Sequence, residues 1–133
     1  MAANRVQNVI DLPKLGYVEE EFFVSGRANV YDWAADGTLS LRTPSAPYTT
    51  RILVRRPVDP RNFSGNVIVE LPNMARRYDW VMTWSLQHTR FIESGDAWVG
   101  LTLAPVGIEA LKAFKAARYA PLSMANPTPD QVC

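Results

Sequence analysis

The stretch Val67-Ile-Val-Glu-Leu-Pro-Asn73 decides the fold, together with Ser94-Gly-Asp-Ala-Trp-Val-Gly100 further along the chain. The first predicts an apolar strand from Asn66 to Leu71, buried on both faces from Val67 onward, that a Pro-Asn loop ends. The second predicts another apolar strand directly after Gly95. A helix predicted between them, from Asp79 to Ser94, completes the order that a right-handed crossover between parallel strands requires. Because parallel sheets are covered by helices on both faces, the unit predicts a three-layer α/β fold, of which 133 residues supply only part.

The helix from Asp79 to Ser94 is predicted by one wide apolar stripe at helical spacing. Asp79 favours its N-terminal end through side-chain capping and through its charge, and Gly95 is the expected left-handed terminator. The residues of the stripe are Trp80, Val81, Trp84, His88, Phe91 and Ile92.

Antiparallel strands are predicted ahead of the crossover unit. Tyr17 to Tyr31 predicts two short strands or one strand bent at Gly26, and Ala35-Asp-Gly37 is a turn signal. Tyr48 to Arg55 alternates with the period of a strand. One of its predicted faces carries Arg51, Leu53 and Arg55.

After the crossover helix, Ala97 to Leu103 is predicted to be a strand and the most exposed edge of an incomplete sheet. Ile108 to Arg118 predicts a short helix with Leu111 and Phe114 facing inward. The chain is divided into a polar lead-in (1–15), a single incomplete domain (16–120) and a proline-rich tail (121–133), whose end at Cys133 is interpreted as a truncation point.

Composition and charge argue against several classes of partner. The 14 basic and 13 acidic side chains leave a net charge of +1, which gives no electrostatic reason to expect nucleic acid or an anionic membrane surface. The pairs Arg55-Arg56 and Arg76-Arg77 are interpreted as solvated surface charge. The single cysteine, Cys133, allows neither an internal disulfide nor a zinc site built from cysteines. The N-terminus lacks the apolar core of a signal peptide, so a cytoplasmic location is expected if the start is native.

No cofactor and no metal site are predicted. The sequence contains no G-x-G-x-x-G, no P-loop and no H-E-x-x-H, and His88 is its single histidine. Ser85 and His88 are three residues apart on the predicted helix, but a helical serine lacks preorganised amides for an oxyanion. We therefore favour a packed histidine with one hydrogen bond. Glu70 is interpreted as a structural carboxylate held by an arginine or by loop amides, with a catalytic acid as the alternative.

The loop from Pro72 to Arg77 joins the C-terminal end of a parallel strand to a helix. Open α/β sheets bind ligands at that edge. Backbone amides there, and the positive end of the helix, suit a developing negative charge. The spacing of this segment fits an ordinary connector at least as well as it fits a functional loop.

Several motifs resemble, in their order and spacing, the start of the α/β-hydrolase-domain family. They are Tyr17-Val-Glu-Glu-Glu-Phe-Phe-Val-Ser-Gly-Arg-Ala-Asn-Val-Tyr31, Arg51-Ile-Leu-Val-Arg-Arg-Pro57, Asn66-Val-Ile-Val-Glu-Leu-Pro-Asn73, Tyr78-Asp-Trp80, Gly95-Asp-Ala-Trp-Val-Gly100 and Ala117-Arg-Tyr-Ala-Pro-Leu122. The resemblance covers about Gly16 to Pro129 and implies the N-terminal part of an α/β-hydrolase fold. It also implies that the loop after Leu71 is an oxyanion loop, with a backbone donor at Asn73 or Met74, although the loop lacks the glycines of glycine-rich oxyanion motifs.

In that family the nucleophilic serine, the acid and the histidine follow this region in that order. No serine of the chain stands in a G-x-S-x-G elbow. The resemblance therefore implies a parent protein that hydrolyses a small-molecule carboxylic ester, and a chain that is inactive alone because it holds no Ser-His-Asp triad. A half-built sheet also predicts self-association through an exposed edge. The alternative is a small non-catalytic mixed α/β binding module, which the short length and balanced charge favour.

Overall fold

The computed structural model describes residues 10–75 and 77–124 as one mixed sheet with helices packed on it. In chain order, the elements are β1 (Tyr17–Trp33), β2 (Leu39–Pro57), β3 (Val67–Glu70), α1 (Met82–Ser94), β4 (Ala97–Leu101), α2 (Pro105–Phe114) and α3 (Ala116–Tyr119), with short 3₁₀ turns at Pro13–Leu15 and Pro60–Asn62. The sheet order is β1-β2-β4-β3. β2 pairs antiparallel with β1 and β4, and β3 pairs parallel with β4. The predicted α/β class, with antiparallel strands leading into a parallel βαβ unit, is confirmed.

The first two strands form one long hairpin. β1 is a single strand whose register shifts between Ala28 and Val30, so the irregularity lies beyond Gly26, where a bend was predicted as one of two possibilities. Gly26 instead makes room for a neighbour, because a Cβ there would lie 2.8 Å from the Tyr48 hydroxyl oxygen. The predicted turn is confirmed: Ala34 N–H donates to Thr38 O, and Gly37 has a φ of 80°.

β4 lies inside the sheet, between β2 and β3, so the prediction that Ala97 to Leu103 forms the exposed edge is wrong. Its register explains the position, because Val99 pairs with Val54 of β2 on one side and with Val69 of β3 on the other. The edges of the described sheet are β1 and β3. The sequence pattern could show that β4 is apolar but not which strands flank it.

The two faces of the sheet are covered unequally. Register places Arg55 opposite both Glu19 and Trp98, on the face against which α1 packs. On the other face, Val67 and Val69 are 54% and 62% exposed. The prediction that this strand is buried on both faces is therefore wrong. In residues 10–75 and 77–124, the helices pack against one face of the sheet. The third layer of the predicted three-layer fold is not formed by these residues.

Helix α1 begins at Met82, three residues later than predicted, and Asp79 does not cap it. Its first turn is held by Glu70, at the end of β3. The Glu70 carboxylate accepts hydrogen bonds from Thr83 N–H at 2.8 Å, from Trp84 N–H at 3.1 Å and from the Trp98 indole N–H at 2.8 Å. A carboxylate at the positive end of a helix is electrostatically favourable. Glu70 is thus hydrogen-bonded as predicted for a structural carboxylate, but its donors are helix amides and an indole in place of the predicted arginine or loop amides.

The main core lies between α1 and the sheet. It joins Val81, Trp84 and Phe91 of the helix region to Trp98 of β4. The Arg55 guanidinium lies 4.6 Å from the Trp84 ring centroid and 4.8 Å from that of Trp98, so a buried cation lies against both indoles. Its Nε donates to a Glu19 carboxylate oxygen at 2.7 Å, which supplies the opposite charge.

The predicted helix from Ile108 to Arg118 is replaced by two helices. α2 already begins at Pro105, and Lys115, with a φ of −151°, separates it from α3. Leu111 is buried as predicted, but Phe114 is 50% exposed, so its predicted inward position is wrong. A second buried cluster comprises Ile108, Leu111, Tyr119 and Leu122.

Parts of the two predicted terminal segments belong to the fold. Ile10 and Leu12, from the segment 1–15, pack against the main core, and Ser123, from the segment 121–133, forms a bridge with Thr49 of β2. Residues 1–9 and 125–133, including Cys133, lie outside the described residues. Within the described ranges, the helices are too short or too polar to cross a membrane.

Gly95 ends α1 in the left-handed region, with a φ of 76°, and a Cβ there would overlap the carbonyl oxygen of Asn62. We expect Gly95→Ala to lower the free energy of unfolding by roughly 1–2 kcal/mol through the backbone conformation alone. The overlap with Asn62 is expected to lower it further. Gly37→Ala is the matched control, because Gly37 has a φ of 80° with open space around it. Urea unfolding measures both, and equal losses would show that the packing against Asn62 is unimportant.

Candidate functional site

The candidate site is the segment after β3, from Pro72 to Val81, at the C-terminal edge of the parallel strands. Its two ends are bound to each other, because Asn73 N–H donates to Trp80 O at 2.9 Å and Trp80 N–H donates to Asn73 O at 3.3 Å. We call residues 73–80 the closed loop. Inside it, the Asn73 side-chain oxygen accepts from Ala75 N–H at 3.0 Å, and Arg77 N–H donates to Met74 O at 2.8 Å.

The two predicted oxyanion donors differ in whether the backbone N–H already has a hydrogen-bond acceptor. The Asn73 N–H is engaged by Trp80 O. The Met74 N–H has no acceptor among residues 10–75 and 77–124. The Met74 side chain is 4% exposed and packs against Gly107 in the first turn of α2, where a Cβ would lie 2.6 Å from Met74 Cε. The start of α2 therefore lies directly beside the closed loop.

Asp79 anchors the closed loop to the sheet. Its carboxylate accepts a charged hydrogen bond from Arg51 Nη2, and both side chains are buried. The same guanidinium donates to the Thr102 hydroxyl, from Nε at 3.2 Å and from Nη2 at 3.0 Å. The predicted capping role of Asp79 is therefore replaced by a buried ion pair. The sequence signal that could have revealed it is the arginine-bearing face predicted for β2.

A second carboxylate extends this network to α3. Glu21 of β1 lies 3.6 Å from Arg51 Nη1, and it accepts from Arg118 Nε at 2.7 Å and from the Tyr119 hydroxyl at 3.0 Å. Burial, and then the adjacent Glu21 carboxylate, raise the pKa of Tyr119 above its usual value of 10.0. Tyr119 therefore remains a neutral donor at physiological pH, and the network joins the first strand to the last helix.

The exposed part of the closed loop carries an arginine and two aromatic rings. Arg77 is exposed and has a φ of 61°, a left-handed conformation that non-glycine residues rarely adopt. Strained backbone of this kind clusters at functional sites. The rings of Tyr78 and Trp80 are half-buried and nearly parallel, with 15° between their planes and 6.4 Å between their centroids.

The other predicted candidate pair is part of the helix. Ser85 Oγ donates to Val81 O, and His88 Nδ1 lies 3.2 Å from Trp84 O, which is the single hydrogen bond predicted for a packed histidine. The His88 ring also lies 6.0 Å from the Trp84 ring. Within the described ranges, no three histidine, cysteine, aspartate or glutamate side chains lie close enough together to hold a metal ion.

Replacing Asp79 by alanine leaves the buried Arg51 guanidinium with Glu21 at 3.6 Å as its remaining acidic partner. Breaking a buried ion pair in this way typically costs about 3–5 kcal/mol. We expect Asp79→Ala to lower the free energy of unfolding by that order and to speed amide exchange at Asn73 and Trp80. Asp59→Ala is the matched control, because the Asp59–Arg61 pair is exposed. Slow exchange of the loop amides in Asp79→Ala would show that the ion pair does not hold the loop.

Comparison with models of protein families identifies a family that matches this chain. A family model described as an alpha/beta hydrolase domain matches residues 2–133, nearly the whole chain. Neither the curated proteins nor the solved structures gave a match. The match agrees with the observed mixed sheet, in which antiparallel strands lead into a parallel crossover. The chain belongs to the alpha/beta hydrolase domain family.

Proposed function

We propose that this chain forms the N-terminal segment of a serine-dependent hydrolase that acts on carboxylic esters. In this proposal it supplies the oxyanion loop but not the nucleophile. The observation that carries the proposal is the closed loop at the C-terminal end of β3, where the Met74 amide has no acceptor in the described part of the chain. Open α/β sheets bind ligands at this edge.

Of the two predicted donors, Met74 is the one that we assign to the oxyanion. Asn73 uses its amide to close the loop, so a substrate oxygen would compete with Trp80 O for it. In the proposed reaction, a serine outside these 133 residues attacks the ester carbonyl, and the Met74 N–H donates to the oxygen that becomes negative. A preorganised donor of this kind is typically worth roughly 10²–10³ in kcat.

The fixed position of that amide follows from its neighbours. The Met74 side chain is held against Gly107, and Arg51 holds Asp79 five residues later. A donor that need not reorganise during the reaction stabilises the transition state more effectively. The closed loop therefore has the rigidity that an oxyanion donor requires.

The exposed sheet face favours an incomplete hydrolase over a self-contained binding module. Val67 and Val69 lie in an edge strand and are more than half exposed. Edge strands of stable monomers usually carry charges or proline that block pairing with another chain. The single charged side chain of β3, Glu70, faces α1 instead of solvent. We therefore infer that this chain alone self-associates through β3.

Sedimentation velocity tests that inference. The 133-residue chain is expected to associate with increasing concentration, and Val69→Lys is expected to reduce association because it places a charge on the exposed edge. Val58→Lys is the matched control, because Val58 is similarly exposed, at 58%, but lies outside the strands. A cooperative, concentration-independent monomer would favour the binding module.

The absence of a nucleophile predicts a clear result with esters. The purified chain is expected neither to release p-nitrophenol from p-nitrophenyl acetate above the buffer rate nor to be labelled by a serine-directed phosphonate. A longer product of the same reading frame that contains a G-x-S-x-G is expected to show both activities. Mass spectrometry locates the label, and Ser85→Ala controls for the serine nearest His88. Stoichiometric labelling of any serine within these 133 residues would overturn the proposal.

A further inference from the structure

We propose that the closed loop selects the substrate of this site. Arg77 and the rings of Tyr78 and Trp80 would bind an ester that carries an aromatic ring with an anionic group. This inference rests on the proposed function, since it assigns the substrate class of the same site. It goes beyond the interpretation of Arg76-Arg77 as solvated surface charge, because the fold holds Arg77 in a particular place.

The charges around the closed loop leave Arg77 uncompensated. Arg51 and Arg118 are matched by the carboxylates of Asp79 and Glu21. The Glu70 carboxylate accepts three N–H donors. Arg77 is exposed and has no acidic partner within the described ranges. Among the described residues, an anion that approaches this edge therefore meets the Arg77 guanidinium, which can bind a carboxylate with two parallel hydrogen bonds.

The backbone fixes where the Arg77 side chain leaves the main chain, relative to the proposed oxyanion donor. The Arg77 N–H donates to Met74 O at 2.8 Å, which makes a tight turn from Met74 to Arg77. The turn holds Arg77 at a φ of 61°, although glycine or asparagine would adopt that conformation more readily. The two ends of the closed loop are hydrogen-bonded to each other, so the backbone at these ends loses little freedom when a ligand binds.

The aromatic pair supplies the second recognition element. Tyr78 directly follows Arg77, and its ring is nearly parallel to that of Trp80. Both residues are half-buried, so neither is enclosed in the core. Stacking between two aromatic rings contributes more free energy than the burial of their apolar area alone. A planar ring that bears a carboxylate can therefore use both elements at once, whereas an aliphatic acid or an uncharged aromatic ester can use one.

Monomethyl terephthalate is the probe, because it joins an aromatic ring, a free carboxylate and an ester. Binding to the 133-residue chain is followed by nuclear magnetic resonance at the amides of Arg77 and Tyr78 and at the indole of Trp80. Methyl benzoate lacks the charge, and the monomethyl ester of cyclohexanedicarboxylic acid lacks the aromatic ring. We expect each to bind on the order of tenfold more weakly, as the loss of one charge-assisted or stacking contact implies.

The variant Arg77→Gly separates an effect on ligand binding from an effect on stability. Glycine suits the left-handed backbone, so the variant is expected to be at least as stable as the wild type while its Kd for the probe rises on the order of tenfold. Arg90→Gln is the matched control, because Arg90 is an exposed arginine on α1 and its loss lowers the net charge equally. Its Kd is expected to be unchanged.

The outcomes distinguish this inference from the proposed function. Equal affinity for all three esters, or equal weakening by Arg77→Gly and Arg90→Gln, would overturn the inference and leave the proposed function standing. Chemical shift changes confined to residues outside 73–80 would also overturn it. Turnover of the probe by this chain would instead contradict the proposed function, whichever residues the probe contacts.

Discussion

One carboxylate, that of Glu70, fixes the geometry of the crossover unit. It lies at the end of β3, accepts two amides at the start of α1 and accepts the indole N–H of Trp98 in β4. A buried carboxylate is costly unless it is fully hydrogen-bonded, and here three donors satisfy it. Because the end of β3 and the start of α1 are thus held together, the residues between them must leave the sheet and return, which produces the closed loop.

Buried arginines are the second constraint. Arg51 and Arg55 lie on the same face of β2 and are 3% and 6% exposed, whereas Ile52 and Val54 on the opposite face are less buried. This reverses the usual preference for apolar residues inside. Glu19 and two indole rings accommodate Arg55, while Asp79, Thr102 and Glu21 accommodate Arg51. The helix-bearing face therefore joins its elements by directional polar contacts as well as by apolar packing.

The sequence allowed the local elements to be predicted better than their partners. The part of the stripe from Trp84 to Ile92 and the Gly95 terminator were predicted correctly, because helical period and left-handed backbone are local properties. Asp79 was misassigned because its partner Arg51 is distant in sequence, and the ion pair outweighs the local preference for capping. The apolar residues of β3 predicted burial on both faces, but periodicity cannot show whether anything covers a face.

The same limit explains what could be predicted about the site. The motif resemblance placed a functional loop near Asn73 and Met74, yet only the fold distinguishes their amides, because it pairs Asn73 with Trp80. The contacts that shape the closed loop come from Arg51, Gly107 and the Asn73–Trp80 bridge, and all of these residues belong to this chain. Contacts within the described part of the chain therefore already restrain the loop. In the proposed hydrolase, the oxyanion donor would be positioned before the nucleophile packs against it, which is the order that preorganisation favours.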